Sequence, residues 1–236
     1  MFRLTRYGRR EWRAATAVAA GGCALLAVAA WRLGPLWLVP VAAIVPAWLW
    51  ATWFFRDPDR QVPGEPGLFV SPADGVVADV TPLGPDSALG TDGTQIGVFM
   101  SIFSVHVNRM PCDATVVAVQ HRPGAFLDVR KPQAALRNES TTIRLTVAHG
   151  GREHPVIVRQ VAGLVARRIV TDLVPGSAVR RGQRFGMIKF GSRLELLVPR
   201  ELVGEVRVAV GDRAVAGRTV LLAAPKGPPD DDRAEP

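Results

Sequence analysis

The sequence predicts a mainly β protein, a compact β-sandwich or barrel-like domain preceded by an N-terminal hydrophobic helical hairpin. Three observations carry this. Two uncharged apolar runs, Ala14 to Trp31 and Leu33 to Phe55, lie near the N-terminus. Beyond Arg56 the pattern changes to short Val-rich runs bounded by Gly, Pro, Asn and Asp, which is the signature of strands. No segment of that second part carries a long helical period.

Each N-terminal run is long enough to cross a hydrocarbon core of ~30 Å as a helix. They meet at Trp31-Arg32-Leu33-Gly34-Pro35, where a Gly-Pro breaker marks the tip of a hairpin. Arg3, Arg6, Arg9, Arg10 and Arg13 precede the first run, whereas Arg32 alone sits in the tip. The positive-inside rule therefore places the N-terminus, and everything after the hairpin, on the cytoplasmic face. A cleaved signal peptide shares the basic start and apolar stretch but does not account for a second run directly behind it. Pro40 and Pro46 leave a re-entrant or interfacial second segment as the alternative to a clean span. Cys23 lies in the first run and Cys112 far beyond it, so no structural disulfide is expected.

The charged stop Arg56-Asp57-Pro58-Asp59-Arg60 opens the second part. Strands are expected over 75–80, 95–102, 114–119, 142–148, 155–162, 185–190, 194–198 and 205–210, with a turn at 134–138. Short strands at this density argue for a sandwich or barrel and against a doubly wound sheet. Gly150-Gly151, flanked by His149 and His154, reads as a hairpin loop without chemistry. From Pro225 to Pro236 there is nothing apolar enough to bury, and the expectation is a disordered tail. The expected organisation is thus an anchoring hairpin over 1–56, a β domain over 57–224 and a tail over 225–236.

Composition narrows the function classes. With 48% hydrophobic and 21% charged residues the chain is not mainly disordered, and two cysteines cannot staple a small secreted fold. A net charge of +8 and a pI near 10.8 call for an anionic partner. One Tyr, and no aromatics interleaved with basic residues, give single-stranded nucleic acid nothing to stack on, so the better partner is an anionic membrane surface. The four His residues do not pair with Cys at metal-ligand spacing, and no metal is expected.

Serine-based chemistry needs a hydroxyl in a constrained turn, a base, and a group that orients or charges the base. Ser192 follows Gly191 between two strand-like runs, His106 ends an apolar run, and Asp74 precedes Gly75. Taken singly each has a plainer reading. Gly-Ser and Asp-Gly are common hairpin turns, and a lone His in a strand is more often a hydrogen-bonded structural residue. His121, before Arg122-Pro123-Gly124, is a weak candidate for a substrate entrance.

Together the segments are more specific. Arg56-Asp57-Pro58-Asp59-Arg60, Ser71-Pro72-Ala73-Asp74-Gly75, His106-Val107-Asn108-Arg109-Met110-Pro111, Pro123-Gly124-Ala125-Phe126, Asn138-Glu139, Val161 to Ile169 and Phe190-Gly191-Ser192-Arg193 occur in one order. In that order, from about residue 54 to 200, the chain resembles the short-form phosphatidylserine decarboxylases. The apolar hairpin also matches that family's layout.

The resemblance implies a proenzyme that cuts itself between Gly191 and Ser192, giving a β chain of 1–191 and an α chain of 192–236 that stay together as a heterodimer, open to further oligomerisation. Ser192 would become a pyruvoyl group, the cofactor, whose carbonyl takes the amine of phosphatidylserine as a Schiff base; decarboxylation then yields phosphatidylethanolamine and CO2. Only a residue with a β-oxygen can eliminate in this way. His106 matches the first of two His residues found in the long members' version of its segment, but Arg109 stands where the second, the triad base, would be. An Arg cannot act as that base. The expectation is therefore that His106 transfers protons with Asp74 orienting or charging it, and that Arg109, with Arg167 and Arg168, binds the lipid phosphate or substrate carboxylate. The competing readings are a non-catalytic membrane-tethered biotinyl/lipoyl-like β domain, for which the modified-lysine hairpin is missing, and a serine hydrolase, for which Gly-x-Ser-x-Gly is missing.

Overall fold

The computed structural model describes residues 3–129, 137–164, 168–189 and 191–225. The tail from 226, most of the turn expected at 134–138, and Arg167 and Phe190 fall outside them. The chain divides into two compact units, Met1–Asp59 and Arg60–Pro236.

The first unit is a helical hairpin. α1 spans Arg9–Leu33 and α2 spans Val41–Phe54. At a rise of ~1.5 Å per residue α1 measures roughly 37 Å, more than a hydrocarbon core, whereas α2 alone reaches only about 21 Å. The short 3₁₀ turn Pro35–Leu38 extends it, so that Arg6–Leu33 and Pro35–Phe54 are both long and apolar enough to cross a membrane. The break falls where expected: Gly34 adopts φ 110° and Pro35 starts the turn. Pro46 is accommodated inside α2. Trp48 Nε1 donates across the hairpin to Thr16 Oγ1 at 3.0 Å, and an antiparallel bridge between Leu4 and Arg56 ties the two ends together.

The second unit is built from antiparallel strands. In chain order they are β1 Leu68–Val70, β2 Gly75–Leu83, β3 Gly93–Met100, β4 Val107–Arg109, β5 Ala114–Arg122, β6 Ser140–His149 and β7 Arg152–Ala162. There follow β8 Ile169–Thr171, β9 Ala178–Val179, β10 Arg184–Ile188, β11 Ser192–Pro199, β12 Glu205–Val206, β13 Arg213–Ala214 and β14 Val220–Ala223. Eight of them form a curled half-barrel in the order β13-β2-β3-β11-β7-β6-β5-β9. Two three-stranded sheets, β1-β14-β12 and β4-β10-β8, complete the unit.

Strand period two decides the core. Leu194, Leu196 and Val198 of β11, Val156 and Val158 of β7, Ile143 and Leu145 of β6, and Ile96 and Val98 of β3 share one buried apolar cluster with Phe69, Phe185 and Leu222. Gly150 and Gly151, at φ 57° and 73°, turn β6 into β7 as the primed hairpin turns require.

Neither of the plainer turn readings applies. Asp74-Gly75 does not close a hairpin, because β1 pairs with β14 while β2 pairs with β3 and β13. Gly75 serves close approach instead: a Cβ there would collide with the Phe99 carbonyl. Gly191-Ser192 is likewise no hairpin, since it carries the chain from β10 in a small sheet to β11 in the large one. The strand expected at 205–210 ends at Val206, where β12 leaves its pairing with β14.

Candidate active site

β11 is the fourth strand from the β13 edge of the half-barrel, and Ser192 is its first residue, paired with Met100 of β3 and Ala162 of β7. Its inward phase buries the side chain completely, yet among the described residues Ser192 Oγ has no hydrogen-bond partner. Leaving a buried hydroxyl unsatisfied costs about 1–3 kcal/mol, so this hydroxyl stands out as one that its surroundings do not fasten.

The scissile candidate next to it is unusual in two ways. Gly191 sits at φ 58°, a left-handed conformation that glycine alone adopts without penalty. Its carbonyl oxygen is packed so closely by Gly163 that a Cβ on residue 163 would collide with it. The carbonyl that Ser192 would attack is therefore positioned by a second glycine, just beyond β7.

His106 is fully buried, and both of its ring nitrogens meet the backbone. Nδ1 lies 2.9 Å from the Ser104 carbonyl, and Nε2 receives the Gly191 amide N–H at 3.4 Å. A carbonyl can only accept and an amide N–H can only donate, so the proton is on Nδ1 and the lone pair of Nε2 receives the backbone N–H of Gly191, the residue before Ser192. Behind it, Asn108 of β4 accepts from Gln160 Nε2 at 2.8 Å. Gln160 Oε1 is a second buried atom without a partner.

Asp74 lies on the segment entering β2. Oδ2 accepts from Arg60 Nη2 at 2.7 Å and Oδ1 from the Ala216 amide at 2.8 Å. The same segment is joined to β4, since the Arg109 amide donates to the Pro72 carbonyl at 3.0 Å. Arg109 is buried and its Nη1 donates to the Gly182 carbonyl at 3.0 Å, fixing the loop before β10. Arg168 is exposed ahead of β8, and Arg167 lies outside the described residues. His121 is on β5 with Nδ1 at 3.2 Å from Thr141 Oγ1.

Asn138 explains two of the sequence segments at once. Fully buried, it donates from Nδ2 to the Leu127 and Ala162 carbonyls, each at 2.8 Å, and accepts the Leu127 amide at 2.9 Å. It thus laces the 123–127 loop to the end of β7, beside Ser192. A Cβ on Gly124 would strike the backbone at 137–139, which is why that loop needs glycine.

Sequence reasoning singled out Ser192, Gly191, His106 and Asp74 but gave no role to Gly163, Ser104, Arg60 or Gln160. For Gln160 a signal existed: the inward phase of β7 reads Val156, Val158, Gln160, Ala162, and the polar residue breaks it. Among the described residues no group of His, Cys, Asp and Glu could hold a metal ion. Cys112 is buried, and burial together with the Asp113 carboxylate pushes its thiol pKa far up, so it is no nucleophile.

A family model described as phosphatidylserine decarboxylase matches residues 48–222. A phosphatidylserine decarboxylase proenzyme of Paramagnetospirillum magneticum is 45% identical over 202 residues, covering 84% of this chain and 81% of that one. Proteins of the same description from Geotalea daltonii and Geotalea uraniireducens are 42% and 41% identical, covering 84% and 89% of this chain and 87% and 98% of theirs. With the resemblance running through the half-barrel and across the Gly191-Ser192 site, the chain belongs to the phosphatidylserine decarboxylase family.

Proposed function

We propose that the chain is a self-processing, pyruvoyl-dependent carboxy-lyase that converts phosphatidylserine to phosphatidylethanolamine and CO2. The observation that carries this is the buried, unpartnered Ser192 Oγ next to a left-handed Gly191 whose amide faces a basic His106 nitrogen.

In maturation, Ser192 Oγ attacks the Gly191 carbonyl carbon as its proton passes to His106 Nε2. The Gly191 C–N bond then breaks, leaving an ester on Oγ and a free amine on Ser192. Loss of the Ser192 α-proton expels the Gly191 carboxylate and leaves dehydroalanine, which water hydrolyses to a pyruvoyl group with release of ammonia. That group supplies an electrophilic carbonyl able to take up the electron pair released when a carboxylate leaves as CO2. The Ser104 carbonyl holds His106 in the required tautomer. Asp74 fixes Arg60 and the Ala216 amide around the entrance to β2, and we assign it the orienting role for the His106 side of the site.

Exposed apolar side chains around the scissile bond suit a lipid substrate. Ile102, whose Cγ2 lies 4.0 Å from a Cβ built on Gly191, is exposed, as are Phe103, Phe126 and Leu164. Arg168, exposed, is better disposed than buried Arg109 to meet a headgroup phosphate. The apolar hairpin would keep the enzyme in the membrane that holds its substrate, with the β domain on the cytoplasmic side. The α chain would remain bound to the β chain through β11, β13 and β14, which pair with β3, β7, β2 and β1.

Denaturing intact mass of the wild type beside Ser192→Ala tests this. The expected result is a fragment of 192–236, about 5 kDa by chain length, in the wild type only, with a borohydride-reducible N-terminus and release of phosphatidylethanolamine from phosphatidylserine. An uncut 25.4 kDa wild-type chain would overturn the reading in favour of a tethered non-catalytic domain.

A further inference from the structure

The self-cleavage proposed above turns Ser192 from a residue inside a polypeptide into the first residue of a new chain. Chain ends fray, and this one would carry the reacting group. Backbone pairing of Ser192 with β3 and β7 holds it from either side, but the link to residue 191 is gone. A second restraint is visible on the opposite face of the same strand.

One row of residues runs in register across four strands: Asp79 of β2, Gly97 of β3, Glu195 of β11 and Arg159 of β7. The Arg193 side chain, one step towards the cleavage site, lies along this row. Its Nη1 reaches Asp79 Oδ2 at 2.6 Å and its Nε reaches Glu195 Oε1 at 2.9 Å. Arg159 Nη1 takes the other Glu195 oxygen at 3.2 Å, and Gln95 Nε2 takes the other Asp79 oxygen at 3.3 Å. Gly97 makes the bridge possible, since a Cβ there would collide with the Arg193 guanidinium and the Asp79 carboxylate. Two cations balance two carboxylates, with Glu195 wholly buried, so the cluster is a closed clasp and not a site for an added ion.

We propose that Arg193 is a positioning residue that pins the new α-chain N-terminus after the cut, by gripping Asp79 across β3 and Glu195 on its own strand. Arg193 touches none of the reacting atoms; it acts by fixing the residue bonded to them. Burial works against its charge, but the hydrogen bond to Asp79 and the fields of Glu195 and Asp79 outweigh it and raise its pKa, so Arg193 stays charged. The clasp matters most once the chain is cut, because in the precursor residue 192 is also held covalently at residue 191.

The test uses full-length protein in detergent micelles containing phosphatidylserine, with Arg193→Ala, Arg193→Lys and Asp79→Asn, each also in the uncut Ser192→Ala background. Arg193→Ala is expected to cleave, to lose about tenfold or more in kcat with KM nearly unchanged, as misplacement of a reacting group does, and to release its α chain at lower urea than the wild type. The urea midpoint should fall more in the cut protein than in the uncut pair. Arg193→Lys should recover only part of the rate, because one ammonium cannot span both carboxylates as a guanidinium fork does. Should Arg193→Ala fold poorly, Asp79→Asn gives the same reading in milder form. Equal falls in cut and uncut proteins, or an unchanged kcat, would overturn the inference while leaving the proposed function intact. A folded Arg193→Ala that never cleaves would also overturn it, by placing the residue in processing. A wild type that never cleaves would sink both.

Discussion

Ser192 and Glu195 share one strand and are both completely buried, but they look out from opposite faces of the sheet and are treated in opposite ways. On the inner face Ser192 Oγ has no partner among the described residues. On the outer face both Glu195 oxygens are taken, by Arg159 and Arg193. The difference teaches how a single β-strand can be both reactive and rigid. A group that must form a bond keeps its hydroxyl unengaged, at some cost in stability; the groups that hold it in place are saturated. The strand is thus held by a closed set of partners directly behind the proposed cleavage point.

The contrast breaks most visibly from the saturated side. Glu195→Ala would leave two guanidinium groups against an apolar sheet with one carboxylate between them, and removal of one partner from such a buried cluster costs about 3–5 kcal/mol. Chemical denaturation should show that loss in the uncut Ser192→Ala background as well as in the wild type; a loss under about 1 kcal/mol would mean that water reaches the cluster and that the outer face is not truly closed. Asn138→Ala comes next. It deletes three hydrogen bonds that join the 123–127 loop to the end of β7, and at about 1 kcal/mol each the stability loss should be roughly 2–3 kcal/mol, with slower maturation. Unchanged maturation would mean that the loop does not position Ser192.

From the reactive side, Gly163→Ala presses a methyl group into the Gly191 carbonyl. Its effect should be on rate rather than stability: a misplacement of this kind can slow a reaction by about 10²-fold, read as the half-time of precursor conversion. If Gly163→Ala matures normally, the carbonyl is not held by that contact, and the left-handed Gly191 alone sets the geometry.

Much of this arrangement was legible in the chain. The hairpin showed because the length of an apolar run and the Gly34-Pro35 break are local properties. The long strands showed because alternation is local too: 142–148 and 155–162 fall within β6 and β7, and Gly150-Gly151 forms their turn. Two- and three-residue strands such as β4, β8 and β13 did not show, since their pairing partners are distant in sequence and no period fits in so few residues. The same limit governs the site. Ser192, His106 and Asp74 carry chemistry in their side chains and could be named, but Gly163 matters through a missing atom, and Ser104 through a backbone carbonyl whose direction depends on the turn at 101–104. Arg193 entered the sequence reading only as the residue after Ser192; the register that places Gly97 beside Asp79 and Glu195 gives it a bridge to span. At Asp74-Gly75 the local turn preference, the plainer of the two readings, is overridden by the pairing of β1 with β14.

The smallest expected effect sharpens the comparison through an ion pair of the same type without burial. Arg207 Nε meets Glu205 Oε2 at 2.8 Å, a distance close to that between Arg193 and Glu195, but the two side chains are 42% and 64% exposed. Water and salt screen such a pair, and ordering two long side chains offsets most of what attraction remains, so Arg207→Ala should change stability by ~0.5 kcal/mol or less and leave cleavage and decarboxylation unaltered. Nearly equal distances with very different consequences would show that the clasp behind Ser192 acts through exclusion of solvent and closure of all its partners, not through salt-bridge contact as such. If Arg207→Ala proved as damaging as Glu195→Ala, burial would not be the variable that separates them, and the argument from the two faces of β11 would lose its basis.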